Sequence, residues 1–439
     1  MKLSKVVYFL PIMVLSLFLL CCEKNETKDV GTTDDADAGV SDALTLDASE
    51  SDISTTPNNT NYLNKDFIEG IAEYLASDEL AGRDEGTPGS RKAREFLIDQ
   101  LKRCNVKPKG EDGFEQKITT GEGTNILGYI EGGDLKERFV LISAHYDHLG
   151  KDDRGIFNGA GDNAVAAGMV MAVACELAKT TPKKSLLVAF WDSEEPLTFM
   201  TDEMGSEFFA ENPTLELNKI DLAIVLDLVG LELWPGYQNH FVFGAELSVE
   251  IADMMKDLDI PAGLIFKRPS YHLIEELVSG DVIKWSDYHA FISRGVPAMF
   301  FSDGTNQHYH QPTDTMETVN LDKAEKELQY LFNFTNKISN LDVRPGFDLN
   351  GSDLPLDVKL VSEILEDALA DGGIIDGLEL SSWARSRISS DKEKVDLLLE
   401  IVSDGGELNN QQIIELRTAT QRLMCYCNPQ YSVGMCHLM

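Results

Sequence analysis

Apolar residues recur at helical spacing in two early segments, "KDFIEGIAEYLASDEL" and "GSRKAREFLIDQLKRC", and Gly82, Gly86, Pro88 and Gly89 mark the loop between them. The pattern then changes to short, near-continuous apolar runs: "TNILGYIEG", "RFVLISAHY", "SLLVAFWD", "LAIVLDLVG" and "VPAMFF". Runs of this kind predict strands buried on both faces. Helical patterns such as "NAVAAGMVMAVACELAK" lie between them. Strands alternating with helices predict an α/β fold whose central sheet is covered on both sides, with sites at the carboxyl ends of the strands.

The two ends of the chain read differently. Lys2 and Lys5 precede an apolar run from Val6 to Leu20, the arrangement of a secretory signal that is short for a membrane span. The run ends in "LFLLCCEKN", similar to a bacterial lipoprotein signal with Cys22 as the lipidated residue. Residues 1–22 are thus expected to be a lipoprotein-type signal peptide, with ordinary secretion or an uncleaved anchor as alternatives. Residues 23–61, rich in Asp, Ser, Thr, Ala and Gly, read as a disordered acidic tether. A catalytic domain is expected over 62–341. Residues 342–439 read as a small helical extension with "DGG" turns at Asp371 and Asp404, whose oxygen ligands do not fall at EF-hand positions.

Composition narrows the partners. The 439 residues carry a formal charge of -36, from 38 basic and 74 acidic side chains. Such a surface repels nucleic acid and anionic membrane, so membrane contact is expected through an N-terminal lipid only. The chain is expected to work outside the cytoplasm, where disulfides are possible. Cys425, Cys427 and Cys436 cluster at the C-terminus and make one bridge there plausible, but the pairing cannot be deduced from seven cysteines.

Candidate chemistry sits where the apolar runs stop. "FVLISAHYDHLG" ends in His145, Asp147 and His148; "GAGDNAVAAG" places Asp162 before a helix; "LLVAFWDSEE" ends in Glu194 and Glu195; "AIVLDLVG" carries Asp227; "NQHYHQPTDT" carries His308 and His310. Singly, each has a plain structural reading: a histidine in a turn, or an aspartate as a helix N-cap. Asp227 is harder to explain so, because a carboxylate in an apolar strand is costly without a partner. Together, histidines and carboxylates without cysteine suit catalytic zinc. H-E-x-x-H, G-x-S-x-G and Walker motifs are absent from the sequence.

The motifs "AHYDHLG", "NGAGDN", "SEE", "LDLVG" and "YHQPTDT", in this order, resemble the co-catalytic zinc aminopeptidases, family twenty-eight of the metallopeptidases. "ELAGRDEGTPGS" and "SDYHAFISRGVPAMFF" extend the resemblance over roughly Phe67 to Ile338. It implies a single phosphorylase/hydrolase-like zinc-peptidase domain with a mixed central sheet, and a di-zinc exopeptidase acting on peptides. By that resemblance Asp162 bridges two zinc ions, with His145 and Asp227 on one and Glu195 and His310 on the other. Glu194 becomes the general base and Asp147 the outer carboxylate behind His145. A cis peptide is implied between Asp162 and Asn163.

One stretch departs from the family. "EEPLTFMTDEMGSEFF" lengthens the turn after the Glu pair, as glutaminyl cyclases of the same fold do. Met200 and Tyr309 stand where those cyclases carry Trp, and Asn163 is peptidase-like. An aminopeptidase is therefore expected, with a glutaminyl cyclase-like acyltransferase or an inactive metal-binding lipoprotein as alternatives.

Overall fold

The computed structural model of the chain describes residues 60–278, 281–283, 285–428, 430 and 436. The signal segment, Cys22 and nearly all of the acidic tether lie outside these residues.

The fold opens with the two predicted helices. Helix α1 (Lys65–Leu75) begins where the Asn64 side chain accepts the Phe67 N–H at 3.0 Å, and it buries the stripe Ile68, Ile71, Ala72 and Leu75. Helix α2 (Pro88–Arg103) is capped by Thr87, carries Pro88 at its start, and buries Ala93, Leu97 and Leu101.

Next comes a nine-stranded sheet. Its strands are β1 (Lys107–Pro108), β2 (Glu115–Lys117), β3 (Thr124–Ile130), β4 (Leu135–His145), β5 (Lys184–Trp191), β6 (Ile220–Leu226), β7 (Asn239–Phe243), β8 (Ile265–Lys267) and β9 (Ala298–Ser302). The spatial order is β1-β3-β5-β4-β6-β9-β7-β8, with β2 also paired to β3. The inner strands β5, β4, β6 and β9 are mutually parallel, and β3 and β7 run antiparallel to their inner neighbours, so the sheet is mixed. His145 pairs with Trp191, and Phe301 with Leu226. The residues after His145, Trp191, Leu226 and Ser302 therefore emerge at one edge of the sheet.

Further helices cover the faces: α3 (Val165–Leu177), α4 (Gly205–Glu211), α5 (Val249–Lys256), α6 (Tyr288–Ile292) and α7 (Leu321–Ser339). Alternate strand residues point to opposite sides. Val140, Ile142 and Ala144 pack with α1, α2, α3, α5 and α7, whereas Phe139, Leu141, Leu187 and Trp191 pack with α4 and α6. Because both faces are covered, β5 and β6 are buried at every position. The segment ending in α3 is apolar enough by length and composition to cross a membrane, but it is 94% buried inside the protein, as a central core helix must be. A disulfide joins Cys104, at the end of α2, to Cys175 on α3.

The C-terminal region is helical: α8 (Leu354–Leu369), α9 (Ile374–Gly377), α10 (Ser382–Ser403) and α11 (Asn410–Cys427). Val358, Leu365, Ile388, Leu398 and Leu423 join the same apolar cluster as Leu141 and Trp191. The region therefore extends the second core. The second "DGG" turn ends α10: Gly405 has φ +78°, its N–H donates to Val402 O, and the Gly406 N–H donates to Ile401 O. That is a Schellman closure, where a left-handed residue favours glycine. A second disulfide joins Cys425 to Cys436, and Cys427 is a buried free thiol.

The hydrophobic pattern did not reveal the short strands β1 and β2, nor β7 and β8. The run "NHFVF" of β7 is short and interrupted by His240, and β8 has three residues.

Candidate metal centre and active site

Three parallel strand ends and two loops deliver the site. His145 closes β4, Glu194 and Glu195 follow β5, Asp227 follows β6, Asp162 precedes α3, and His310 lies beyond β9. All are at least nine-tenths buried. The two oxygens of Asp162 face different imidazoles: Oδ1 is 3.2 Å from His145 Nε2, and Oδ2 is 3.2 Å from His310 Nε2. His145 Nε2 also lies 3.3 Å from Asp227 Oδ1 and 3.9 Å from Glu194 Oε2. His310 Nε2 lies 3.0 Å from Glu195 Oε2. The structure thus brings His145, Asp147, Asp162, Glu194, Glu195, Asp227 and His310 together. It leaves His308 aside, half-buried, its Nδ1 3.0 Å from Thr313 Oγ1.

Most of these groups are held from behind. Asp147 Oδ1 stands 3.6 Å from His145 Nδ1, while its Oδ2 accepts the main-chain N–H groups of Glu194 at 3.0 Å and Glu195 at 3.3 Å. Asp314 accepts the N–H groups of Gly161 at 2.9 Å and Asp162 at 3.1 Å. The Ser286 hydroxyl donates to Asp227 Oδ2 at 2.8 Å. The Asp162–Asn163 peptide bond is cis, as the resemblance implies. Ser193, Leu228 and His310, which are not glycines, have φ of 60°, 56° and 54°. Left-handed backbone of this kind costs about 1–2 kcal/mol per residue, and here it re-aims the chain beside Glu194, Asp227 and His310.

The donor set fits a cation. His145, Asp162 and Glu195 offer ligand atoms within 4.8 Å of one another. Asp162 Oδ2 has no hydrogen-bond partner among the described residues. Burial and the neighbouring Asp227 raise the Glu194 carboxyl well above its usual range, against the pull of His145. Burial alone would raise Asp162 too, but the neighbouring His145 and His310 imidazoles outweigh it and hold that group well below its usual range. So many buried like charges call for positive charge in their midst. Nitrogen and oxygen donors without thiolate suit zinc at a catalytic site.

Sequence reasoning noted His148 without giving it a role, and the structure places it in the cluster. Its Nδ1 is 2.5 Å from Glu195 Oε1 and 3.9 Å from Asp162 Oδ2. Its position three residues after His145, past the strand end, was the available signal. Arg83, in "LAGRDEG", is fully buried and, among the described residues, donates only to main-chain oxygens: Tyr146 O at 2.8 Å, Gly159 O at 3.0 Å, Asn158 O at 2.5 Å, and Leu75 O.

A second buried group, His240, Asp303 and Glu327, also has ligand-like composition. There the cation is already supplied by the chain: Lys323 Nζ contacts Asp303 and lies 2.6 Å from Glu327 Oε1. The same carboxylates hold the loop after Asp227. Glu327 accepts the Gly230 N–H at 2.9 Å, and Asp303 accepts the Leu231 N–H at 2.8 Å. This ensemble supports the site and is not a second metal centre.

The lengthened turn after Glu195 is anchored at its start, where the Thr198 hydroxyl donates to Glu195 O at 3.0 Å. It lifts Leu197 into solvent, 94% exposed, with φ 93°.

Residues 125–335 match Peptidase family M28. The chain is 24% identical over 290 residues to the Escherichia coli (strain K12) protein YfbL, which is uncharacterized; the match covers 62% of this chain and 87% of the relative. It is 31% identical over 101 residues to the vacuolar membrane protease of Schizosaccharomyces pombe, covering 23% of this chain and 11% of that protein. Its fold resembles the Legionella pneumophila LapA aminopeptidase, with a TM-score of 0.51, 18% identity, and coverage of 64% of this chain and 73% of the other.

Proposed function

Because residues 125–335 belong to peptidase family M28, we propose that the protein is a zinc-dependent exopeptidase, specifically an aminopeptidase that removes N-terminal residues from peptides outside the cytoplasm. The observation that carries the reading is the two-sided placement of Asp162, one oxygen toward His145 and the other toward His310. A carboxylate so placed suits two ions, with His145 and Asp227 completing one set and Glu195 and His310 the other. Bound zinc would supply a Lewis acid for the scissile carbonyl and favour ionisation of the attacking water.

The chain's own residues do the rest. Glu194, adjacent to Glu195 but directed toward His145 Nε2, accepts the proton of the attacking water and returns it to the leaving amine. Burial raises its proton affinity, which suits a base that must also act as an acid. Asp147 orients His145 and fixes the Glu194 and Glu195 main chain in one stroke. Within this proposal, Cys22 carries the lipid, residues 23–61 are the tether and residues 62–341 form the catalytic domain.

The test uses purified protein with zinc content measured in parallel. Release of nitroaniline from aminoacyl-nitroanilides, with blocked analogues inert, supports the aminopeptidase. Ammonia release from an N-terminal glutamine peptide instead supports a cyclase, the activity suggested by the lengthened turn. Bound zinc with neither product points to an inactive binding protein.

A further inference from the structure

An imidazole that offers its Nε2 lone pair to a cation must carry its proton on Nδ1, and that N–H needs an acceptor. His145 and His310 both aim Nε2 at Asp162. For His145 the carboxylate facing Nδ1 is Asp147, 3.6 Å away and from the same strand end. For His310 the group at Nδ1 comes from 120 residues further along the chain: the carboxamide of Gln430, whose Nε2 stands 2.9 Å away as placed. The two ends of a carboxamide are alike in shape, so the hydrogen-bond network decides which end faces the ring. A ligating His310 requires the carbonyl oxygen there, accepting from Nδ1–H.

Gln430 is not an arbitrary surface side chain that happens to reach His310. It stands three residues beyond the end of α11, and its main-chain N–H donates to Asn428 Oδ1 at 2.9 Å. The Cys425–Cys436 disulfide, with a sequence separation of 11, closes the chain around it. We propose that Gln430 is a positioning residue of the metal centre, doing for His310 what Asp147 does for His145, and that the Cys425–Cys436 bridge holds it in place. The proposal rests on the zinc reading of the site. The C-terminal region, which lies outside residues 125–335, then contributes to the metal site itself.

The test is zinc binding by the full-length protein, followed by chelator competition and by metal analysis. Q430A is expected to weaken one zinc by about 10–100-fold, the usual effect of losing an outer-shell partner. Q430E is expected to restore or tighten it, and the paired C425S/C436S variant to weaken it in the same direction as Q430A. In an H310A background, Q430A is expected to add nothing, which a merely structural role would not produce. Circular dichroism of Q430A should match the parent, since Gln430 is exposed. Unchanged zinc affinity in Q430A, with the parent protein zinc-bound and hydrolytic, overturns the proposal alone. A parent protein that neither binds zinc nor hydrolyses peptides overturns the zinc reading beneath it.

Discussion

Asp147 and Glu194 sit on neighbouring strand ends, and the Asp147 carboxylate accepts the Glu194 main-chain N–H at 3.0 Å. The contact ties the position of the expected base to that of the expected ligand His145, because the other Asp147 oxygen faces His145 Nδ1. Asp147→Asn keeps the shape and removes the charge. It should lower zinc affinity by about 10–100-fold and reduce kcat/KM with it. Chelator competition and steady-state kinetics on an aminoacyl-nitroanilide check this. Parent-like values in both would remove Asp147 from the site.

Glu194 and Asp162 should fail differently. Glu194→Gln should keep its zinc and lose about 10²–10⁴-fold in kcat, the range of general acid–base catalysis. Asp162→Ala should lose metal together with activity, since both imidazoles face that side chain. Metal analysis beside turnover separates the two. Full activity in Glu194→Gln would sink its assignment as base.

Lys323 is the buried cation between Asp303 and Glu327. Lys323→Met leaves those carboxylates uncompensated and should destabilise the fold by about 3–5 kcal/mol. Urea unfolding measures it, and a loss under about 1 kcal/mol would mean that the ammonium is dispensable there.

Burial, aided by the charge of Lys323 and against the pull of Glu327, lowers the His240 imidazole to about 4. Between that value and the ordinary 6.5, the unfolded chain binds more protons than the folded one. Stability must therefore fall as the pH drops through this window, by up to roughly 3 kcal/mol. His240→Asn should flatten that part of the profile, measured as unfolding free energy from pH 6.5 to 4. An unchanged slope would assign it to other groups.

Much of this arrangement was legible in the sequence for a specific reason. His145, Glu194, Glu195 and Asp227 each follow an apolar run, and parallel neighbours in register must release such residues at one edge. What was not legible depends on the path of the chain. Gln430 reaches His310 across 120 residues of intervening sequence. Arg83 reads as a loop residue until its main-chain partners are seen, one of them 76 residues away. His240 interrupts the β7 run, so the strand and the ion cluster it serves were both hidden by the same residue.

Arg83 also bears on the charge balance of the candidate metal centre. Its guanidinium is committed to main-chain oxygens, yet its charge acts on Asp147, Asp314, Asp162 and Glu195. Burial lowers its pKa only to about 10, so it stays charged at neutral pH. A permanent positive charge behind the acidic cluster eases the mutual repulsion of the carboxylates while no ion is present. On the zinc reading, the polypeptide can then fold before it captures an ion.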